Sequence, residues 1–215
     1  MKNKISTNKP FSLLTKWVMA LALPFLVFQA GQAQTNYVKT DCNDAYVQAF
    51  GLPGTTFLGN GDDVIFNLNV PFAFFLYGQP VAAFQVGTNG FMVAAGGTNR
   101  GLGNATLPTA IAGACLAPFW DDLDAGPTIP NTGIYYRTDG VAPNRVFTIE
   151  WYQVGHFGDV AGQFVTFQVK LLEGSNIIRF VYQDVFFGGT QTAFDRGLSA
   201  TVGIEGPLPA PRPFN

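Results

Sequence analysis

The chain has 215 residues, of which 47% are hydrophobic and only 12% are charged, and its formal net charge is −2 at pH 7. A mildly acidic protein without a cluster of basic residues lacks the electrostatic footprint of a nucleic-acid-binding protein. It also lacks the basic segment that holds proteins on an anionic membrane surface. The length suits one domain with a sizeable hydrophobic core.

The first 33 residues have the layout of a cleaved secretory signal. An apolar stretch, 17–28, is followed by Gly31 and Ala33, the small residues expected before a cleavage site. This stretch contains Pro24 and is shorter than the roughly 20 residues that span a bilayer, which favours cleavage over a retained membrane anchor. Ahead of it lie four basic residues and no acidic one: Lys2, Lys4, Lys9 and Lys16.

We therefore expect an exported chain that begins at Gln34 and has no transmembrane segment. Without the four lysines, it carries 8 basic and 14 acidic residues, a net charge of −6. The expected location is outside the cell or on its surface, with the periplasm as the alternative.

The chain contains two cysteines, Cys42 and Cys115. An even number of cysteines in an exported protein predicts a disulfide between them. Closing so long a loop would stabilise the fold by roughly 4 kcal/mol in the chain-entropy model. The alternative is a pair of buried thiols, since cysteine is often simply a buried residue.

Short runs with alternating apolar and polar residues begin after a turn at 59–63. In the first run, 64–70, every second residue is apolar, which is the pattern of a half-buried strand. Further strands are predicted at 81–86 and 91–95, and Asn89-Gly90 between them is a strong hairpin signal.

The second half of the chain continues this pattern, and no stretch after residue 33 has a helical period of helical length. Strands are predicted at 134–137, 146–154, 164–172, 177–187 and 198–205. The expected fold is all-β, a two-sheet antiparallel β-sandwich of jelly-roll type, in a single domain over 34–205. Residues 206–215 have proline at 207, 209, 211 and 213, which excludes pairing within a sheet and predicts an extended tail.

The stretch 116–124 passes from aromatic residues into the densest group of carboxylates in the chain. Asp121, Asp122 and Asp124 could supply oxygen ligands to calcium, the candidate metal site of the sequence. Asp62-Asp63 is a second, weaker cluster. The EF-hand spacing does not fit. The alternative is structural, with one aspartate capping loop amides below Trp120.

Nucleophilic catalysis has few candidates in the sequence. After residue 34 the only serines are Ser175 and Ser199, expected in a turn and a strand, and the only histidine is His156, expected in a surface loop. No G-x-S-x-G elbow is present, and one histidine with two cysteines does not fill a zinc site. We therefore predict no catalytic residues.

A glycoside hydrolase needs only two carboxylates, and Glu150 with Asp121 or Asp122 is the enzymatic alternative. Glu150 lies on the polar side of a predicted strand, where a solvated or salt-bridged carboxylate is normal. Four tyrosines on predicted strands offer instead a surface for sugars or proteins, or core packing: Tyr135, Tyr136, Tyr152 and Tyr182.

Seven blocks of sequence, in order over roughly residues 60–205, resemble one known family. They are TNGF at 88–91, LAPFWDDL at 116–123, GIYY at 133–136, PNRVFTIEW at 143–151, TFQVKLLEG at 166–174, IRFVY at 178–182 and ATVGIE at 200–205. The chain resembles the nidogen-type (NIDO-like) extracellular β-sandwich domain, as found in secreted and surface proteins of Bacteroidota-type bacteria. The resemblance implies an extracellular module without settled catalytic residues.

The function predicted from the sequence is a secreted or surface-associated, non-catalytic binding, adhesion or structural module. Its expected ligand is an extracellular glycan or protein, and calcium is the one cofactor that the residues suggest. The alternatives are the hydrolase with Glu150 and a subunit of an extracellular assembly that docks through the tail or an open strand edge.

Overall fold

The computed structural model describes residues 37–98, 101, 103–109, 112–126, 130–158, 164–188 and 192–207. They belong to a compact unit that spans Gly31–Asn215. The predicted signal, 1–33, and the tail from residue 208 onward lie outside the described residues. Within them, no helix is both long and apolar enough to cross a membrane.

Fourteen strands and one short 3₁₀ helix form the described fold. The strands are β1 (Thr56–Gly59), β2 (Gly61–Asp62), β3 (Ile65–Asn69), β4 (Phe75–Leu76), β5 (Gln79–Pro80), β6 (Ala83–Gly87), β7 (Phe91–Ala94), β8 (Cys115–Trp120), β9 (Leu123–Ala125), β10 (Gly133–Asp139), β11 (Val146–His156), β12 (Val165–Leu172), β13 (Ile178–Asp184) and β14 (Thr201–Glu205). The 3₁₀ helix is Asp195–Gly197, just before β14.

The strands form two main antiparallel sheets. The first has the order β1-β10-β11-β12-β13, with β9 pairing to the end of β11 and β2 pairing to β9. The second has the order β14-β8-β7-β6-β3, and β4 with β5 makes a small hairpin. The prediction of an all-β antiparallel fold is confirmed.

The core lies between the two sheets and is rich in aromatic residues. Phe119 of β8 stacks on Phe167 of β12, with ring centroids 5.4 Å apart. Trp151 of β11 is fully buried, and its indole N–H donates to the Gly87 carbonyl of β6 at 2.9 Å. These contacts join one sheet to the other, because large aromatic side chains bring the most apolar area to a core.

The predicted disulfide is absent from the structure. Cys42 is exposed in the segment before β1, whereas Cys115 is fully buried in β8. Cys115 packs with Phe91, Val93 and Trp120 in a second hydrophobic cluster. Cys115 therefore acts as a small buried residue, whereas the alternative of two buried thiols fails at the exposed Cys42.

The structure differs from the sequence prediction at the start of the last strand and at His156. The last strand begins at Thr201, because the chain before it turns through the 3₁₀ helix, so Ser199 lies in a bend rather than in a strand. His156 is the final residue of β11 and is 8% exposed, so the prediction of a surface-loop histidine is wrong.

Candidate functional site

Three aspartates converge at one end of the first sheet, where β2 and the turn between β8 and β9 meet. Asp62, Asp63 and Asp122 each place a carboxylate oxygen within 4.8 Å of the others. Asp62 and Asp63 are exposed and Asp122 is half-buried, so the cluster is open to solvent. We call these three residues the acidic cluster.

Pairing of short strands brings the acidic cluster together from distant parts of the sequence. β2 pairs with β9 so that Asp62 lies opposite Asp124, which sets Asp62 and Asp63 beside the β8–β9 turn. Asp63 has a φ of 54°, a left-handed conformation that aspartate tolerates better than most residues.

Asn89, in the turn between β6 and β7, holds two parts of this site in place. Its amide Nδ2 donates to Asp63 Oδ1 at 2.7 Å, and its Oδ1 accepts from the Leu123 N–H at 3.0 Å. Asn89 is only 2% exposed, and its bond with Leu123 is buried, whereas its bond to the exposed Asp63 is partly buried. In the sequence, Asn89 belongs to a hairpin signal and to the TNGF block at 88–91, and no sequence pattern indicates this second role.

Like charges make the acidic cluster unfavourable when it is fully ionised. The pKa of Asp62 is raised by burial and then by the neighbouring Asp63, Asp124 and Asp122 carboxylates. The pKa of Asp122 is raised by burial and by Asp63, although the nearby His156 acts to lower it. A cation at the cluster would remove this repulsion.

The other two predicted calcium ligands lie outside the acidic cluster. Asp121 is 5% exposed and turns to a different set of partners. Asp124 has a buried Oδ1 atom, for which the described residues provide no hydrogen-bond partner. Of the three carboxylates in the stretch 116–124, therefore, only Asp122 belongs to the acidic cluster. Its partners there are Asp62 and Asp63, the pair that the sequence indicated as the weaker candidate.

Asp121 binds a serine and a histidine. The Ser199 hydroxyl donates to Asp121 Oδ2 at 2.5 Å, and His156 Nε2 lies 3.6 Å from Asp121 Oδ1. His156 is stacked on Phe194, with ring centroids 3.7 Å apart. The aspartate lies between the other two residues, whereas a catalytic triad needs the histidine in the middle to take the proton of the serine. The arrangement links the end of β11 to the turn before β9 and to the bend before β14, and its order differs from that of a catalytic triad.

The His156–Asp121 pair makes stability depend on pH. Burial alone would lower the pKa of His156, but the Asp121 carboxylate and the Phe157 carbonyl, which accepts from Nδ1 at 2.9 Å, raise it above 6.5. Burial acts to raise the pKa of Asp121, but His156, Ser199 and the Asp122 N–H lower it below 3.8.

We expect the stabilisation from His156 to be complete below pH 6.5 and to be lost as the pH rises through the raised pKa of the folded state. The stabilisation from Asp121 is present above pH 3.8 and is lost as the pH falls through its lowered pKa. Urea unfolding at pH 6 and pH 8 checks the first statement. His156→Phe, which retains an aromatic ring against Phe194, should lose less stability than the wild type over that interval. An equal loss of unfolding free energy between pH 6 and pH 8 in the wild type and in His156→Phe would contradict the expected contribution of His156.

Glu150, the carboxylate of the enzymatic alternative, is fully buried rather than solvated. It accepts hydrogen bonds from the backbone N–H groups of Ala49 and Phe50 at 2.8 and 2.7 Å. The Tyr46 hydroxyl and the Gln168 amide also donate to it, at 2.5 and 2.7 Å. Four donors thus surround Glu150, and three of them tie the segment 46–50 to the outer face of the first sheet.

The predicted pair of Glu150 with Asp121 or Asp122 would have to bridge part of β11. His156 lies beside Asp121, and the next residue, Phe157, donates its N–H to the Asp122 carbonyl. Both aspartates are thus separated from Glu150 along β11, since His156 lies six residues beyond Glu150. Six residues of strand span roughly 15–20 Å, which exceeds the separation of about 10 Å or less that glycoside hydrolysis requires.

The four tyrosines named above have different environments. Tyr135 and Tyr152 contact Phe50 on the outer face of the first sheet, with centroids 5.0 and 4.5 Å from its ring. Tyr136 packs on Phe147 and joins the core. The hydroxyl of Tyr182 donates to the Pro118 carbonyl at 2.6 Å.

Comparison with known proteins gives a family and no individual relative. No curated protein and no solved structure matches the chain. The model of one family, described as NIDO related, matches residues 36–213, which cover the whole described fold up to Pro207. The nidogen-type likeness of the sequence blocks agrees with this match, and the chain belongs to the NIDO-related family.

Proposed function

We propose that this protein is a non-catalytic extracellular module for binding or surface structure, and that calcium at the acidic cluster stabilises it. The observation that carries the calcium proposal is the convergence of Asp62, Asp63 and Asp122 within 4.8 Å. Membership of the NIDO-related family supports the extracellular role.

The chemistry of the acidic cluster suits a hard divalent cation. Calcium takes six to eight oxygen ligands and accepts both carboxylates and water. Three carboxylates on an exposed surface supply charge, and the open side leaves room for water or for an oxygen of a bound ligand. Burial and then mutual repulsion raise the pKa of Asp62 and Asp122. Binding of a cation would relieve the repulsion, so binding would favour the folded state.

Calcium is expected to raise the melting temperature of the full chain. Extracellular calcium modules have dissociation constants near 0.1–1 mM, so about 10 mM calcium would add roughly 1.4–2.7 kcal/mol of stability. For a domain of this size, that corresponds to an increase of about 3–10 °C. Thermal unfolding in calcium and in EDTA measures the difference.

Two variants make this experiment specific. Asp122→Asn should lose the calcium-dependent increase and, in EDTA, should be no less stable than the wild type, because it removes one repelling charge. Asp41→Asn is the matched control, since Asp41 is an exposed aspartate outside the acidic cluster that forms an ion pair with Lys39, at 3.3 Å. An unchanged melting temperature in the wild type, or a full increase in Asp122→Asn, would refute the calcium site.

The ligand class that we propose is an extracellular glycan or protein. The aromatic group of Phe50, Phe57, Tyr135 and Tyr152 supports this proposal, because flat rings on an outer sheet face suit sugars and protein partners. Phe57 is 50% exposed. A glycan and surface-protein binding screen tests it, with Phe57→Ala expected to weaken any binding at this face.

A further inference from the structure

The sandwich is open along one side, where the outermost strands of the two sheets lie. A groove of about 530 Å³ runs between β13 and β14, and residues 37–42 form its third wall. Five side chains of the two edge strands line its floor: Ile178, Phe180 and Tyr182 of β13, and Val202 and Ile204 of β14. Of these, Ile178, Phe180 and Ile204 pack against the core. We call this the edge groove.

The edge groove leaves apolar surface and strand edges without a partner in the described structure. Val202 is 47% exposed and Tyr182 is 38% exposed, although both lie between two sheets. Among the described strands, β13 pairs only with β12, and β14 pairs only with β8. One further strand laid in the groove would cover the apolar side chains and satisfy the free backbone groups of an edge.

The tail has the alternation that such an added strand needs. Proline occupies positions 207, 209, 211 and 213, with Leu208, Ala210, Arg212 and Phe214 at the intervening positions. In an extended strand, successive residues point their N–H and C=O groups to opposite sides. All four prolines therefore face one side, and the other side retains every N–H. Such a segment cannot lie inside a sheet, but it can form an edge strand that pairs on one side and accepts no further strand.

The side chains follow the same alternation. In an extended tail, positions 208, 210, 212 and 214 share one face, and three of these four residues are apolar. The prolines occupy the opposite face. The residues 208–214 number seven, as many as β13 contains. Pairing along β13 would thus direct Leu208, Ala210 and Phe214 to the apolar floor of the edge groove.

The course of the chain favours a second copy over the same copy. The tail continues from the end of β14, so docking in its own groove requires a reversal at Gly206-Pro207. Pro207, with φ fixed near −65°, excludes the two-residue type I′ turn, which needs positive φ at both central residues. A longer turn would use part of 208–214 and leave fewer residues than the seven of β13 to pair along that strand. A neighbouring molecule needs no reversal. We propose that the edge groove of one copy takes the tail of another as an added strand, so that copies assemble head to tail.

The test is the mass of the full chain over a wide range of protein concentration, measured by sedimentation velocity. The wild type should grow from monomer into dimers and longer species. The double variant Leu208→Pro/Ala210→Pro should associate at least about ten-fold more weakly, because two backbone donors on the pairing side are removed. Pro209→Ala/Pro211→Ala is the matched control and should associate like the wild type.

A groove variant identifies the receiving side. Val202→Arg places a charge on the exposed part of the edge groove and should prevent self-association. A mixture of this variant with Leu208→Pro/Ala210→Pro should form heterodimers, because the first variant supplies an intact tail and the second an intact groove. A wild type that stays monomeric at every concentration would overturn the proposal. So would an equal loss of association in both proline-exchange variants, because that result would show no preference for one side of the tail.

Discussion

Glu150→Ala is expected to lower the free energy of unfolding by about 3–5 kcal/mol. The carboxylate is fully buried and accepts four hydrogen bonds. Alanine would leave the N–H groups of Ala49 and Phe50 without their acceptor, and Ala49 is almost fully buried. The segment 46–50 would therefore lose its attachment to β11, and the loss should exceed that of an ordinary surface substitution.

Urea unfolding of the full chain measures this cost, and Glu150→Gln separates its causes. Glutamine has the same shape but one acceptor oxygen, so we expect about half the loss. If Glu150 were instead a catalytic carboxylate in a solvated cleft, both substitutions would leave stability nearly unchanged and abolish turnover of a glycan substrate. A change in unfolding free energy of less than about 1 kcal/mol for Glu150→Ala would contradict the structural role.

The alternation of side chains along a strand was enough to predict the fold class. Phe147, Ile149 and Trp151 alternate along the predicted strand 146–154, and all three are buried in the core. The same alternation placed Glu150 on the opposite face and suggested that this face is wet. It could not show that the segment 46–50, about one hundred residues earlier, covers that face, because such a contact leaves no local pattern.

The candidate site was predicted only in part for a similar reason. Carboxylates are visible in a sequence, and both aspartate groups of the cluster were noted. Which of them meet is decided by the pairing of β2 with β9, two strands of two and three residues that no periodicity reveals. The same limit explains why the disulfide was predicted. An even number of cysteines indicates that a disulfide is allowed, but it does not give the distance between Cys42 and Cys115 in the fold.

Gly90→Ala is expected to be among the most destabilising small substitutions in the chain, with a cost of about 4 kcal/mol or more. Gly90 has a φ of 72°, and a Cβ atom added there would lie 1.9 Å from the Phe119 carbonyl oxygen. Because that oxygen belongs to the backbone of β8, the clash can be relieved only by moving the hairpin turn away from the strand. Asn89 would move with the turn, and Asn89 positions both Asp63 and the backbone of Leu123.

The matched control for this substitution is Gly51→Ala. Gly51 has a similar φ of 81°, but an added Cβ would have no atom within 4 Å. It should therefore show the cost of a left-handed alanine alone, about 1–2 kcal/mol. Urea unfolding of both variants gives the difference, which measures the close approach of the turn to β8. Equal losses of stability in the two variants would show that the close approach of the turn to β8 does not contribute to the stability of the fold.

If calcium binds at the acidic cluster, Gly90→Ala should also weaken the calcium-dependent increase in melting temperature. Gly51→Ala should leave this increase intact, because only Gly90→Ala displaces Asn89, the residue that holds Asp63.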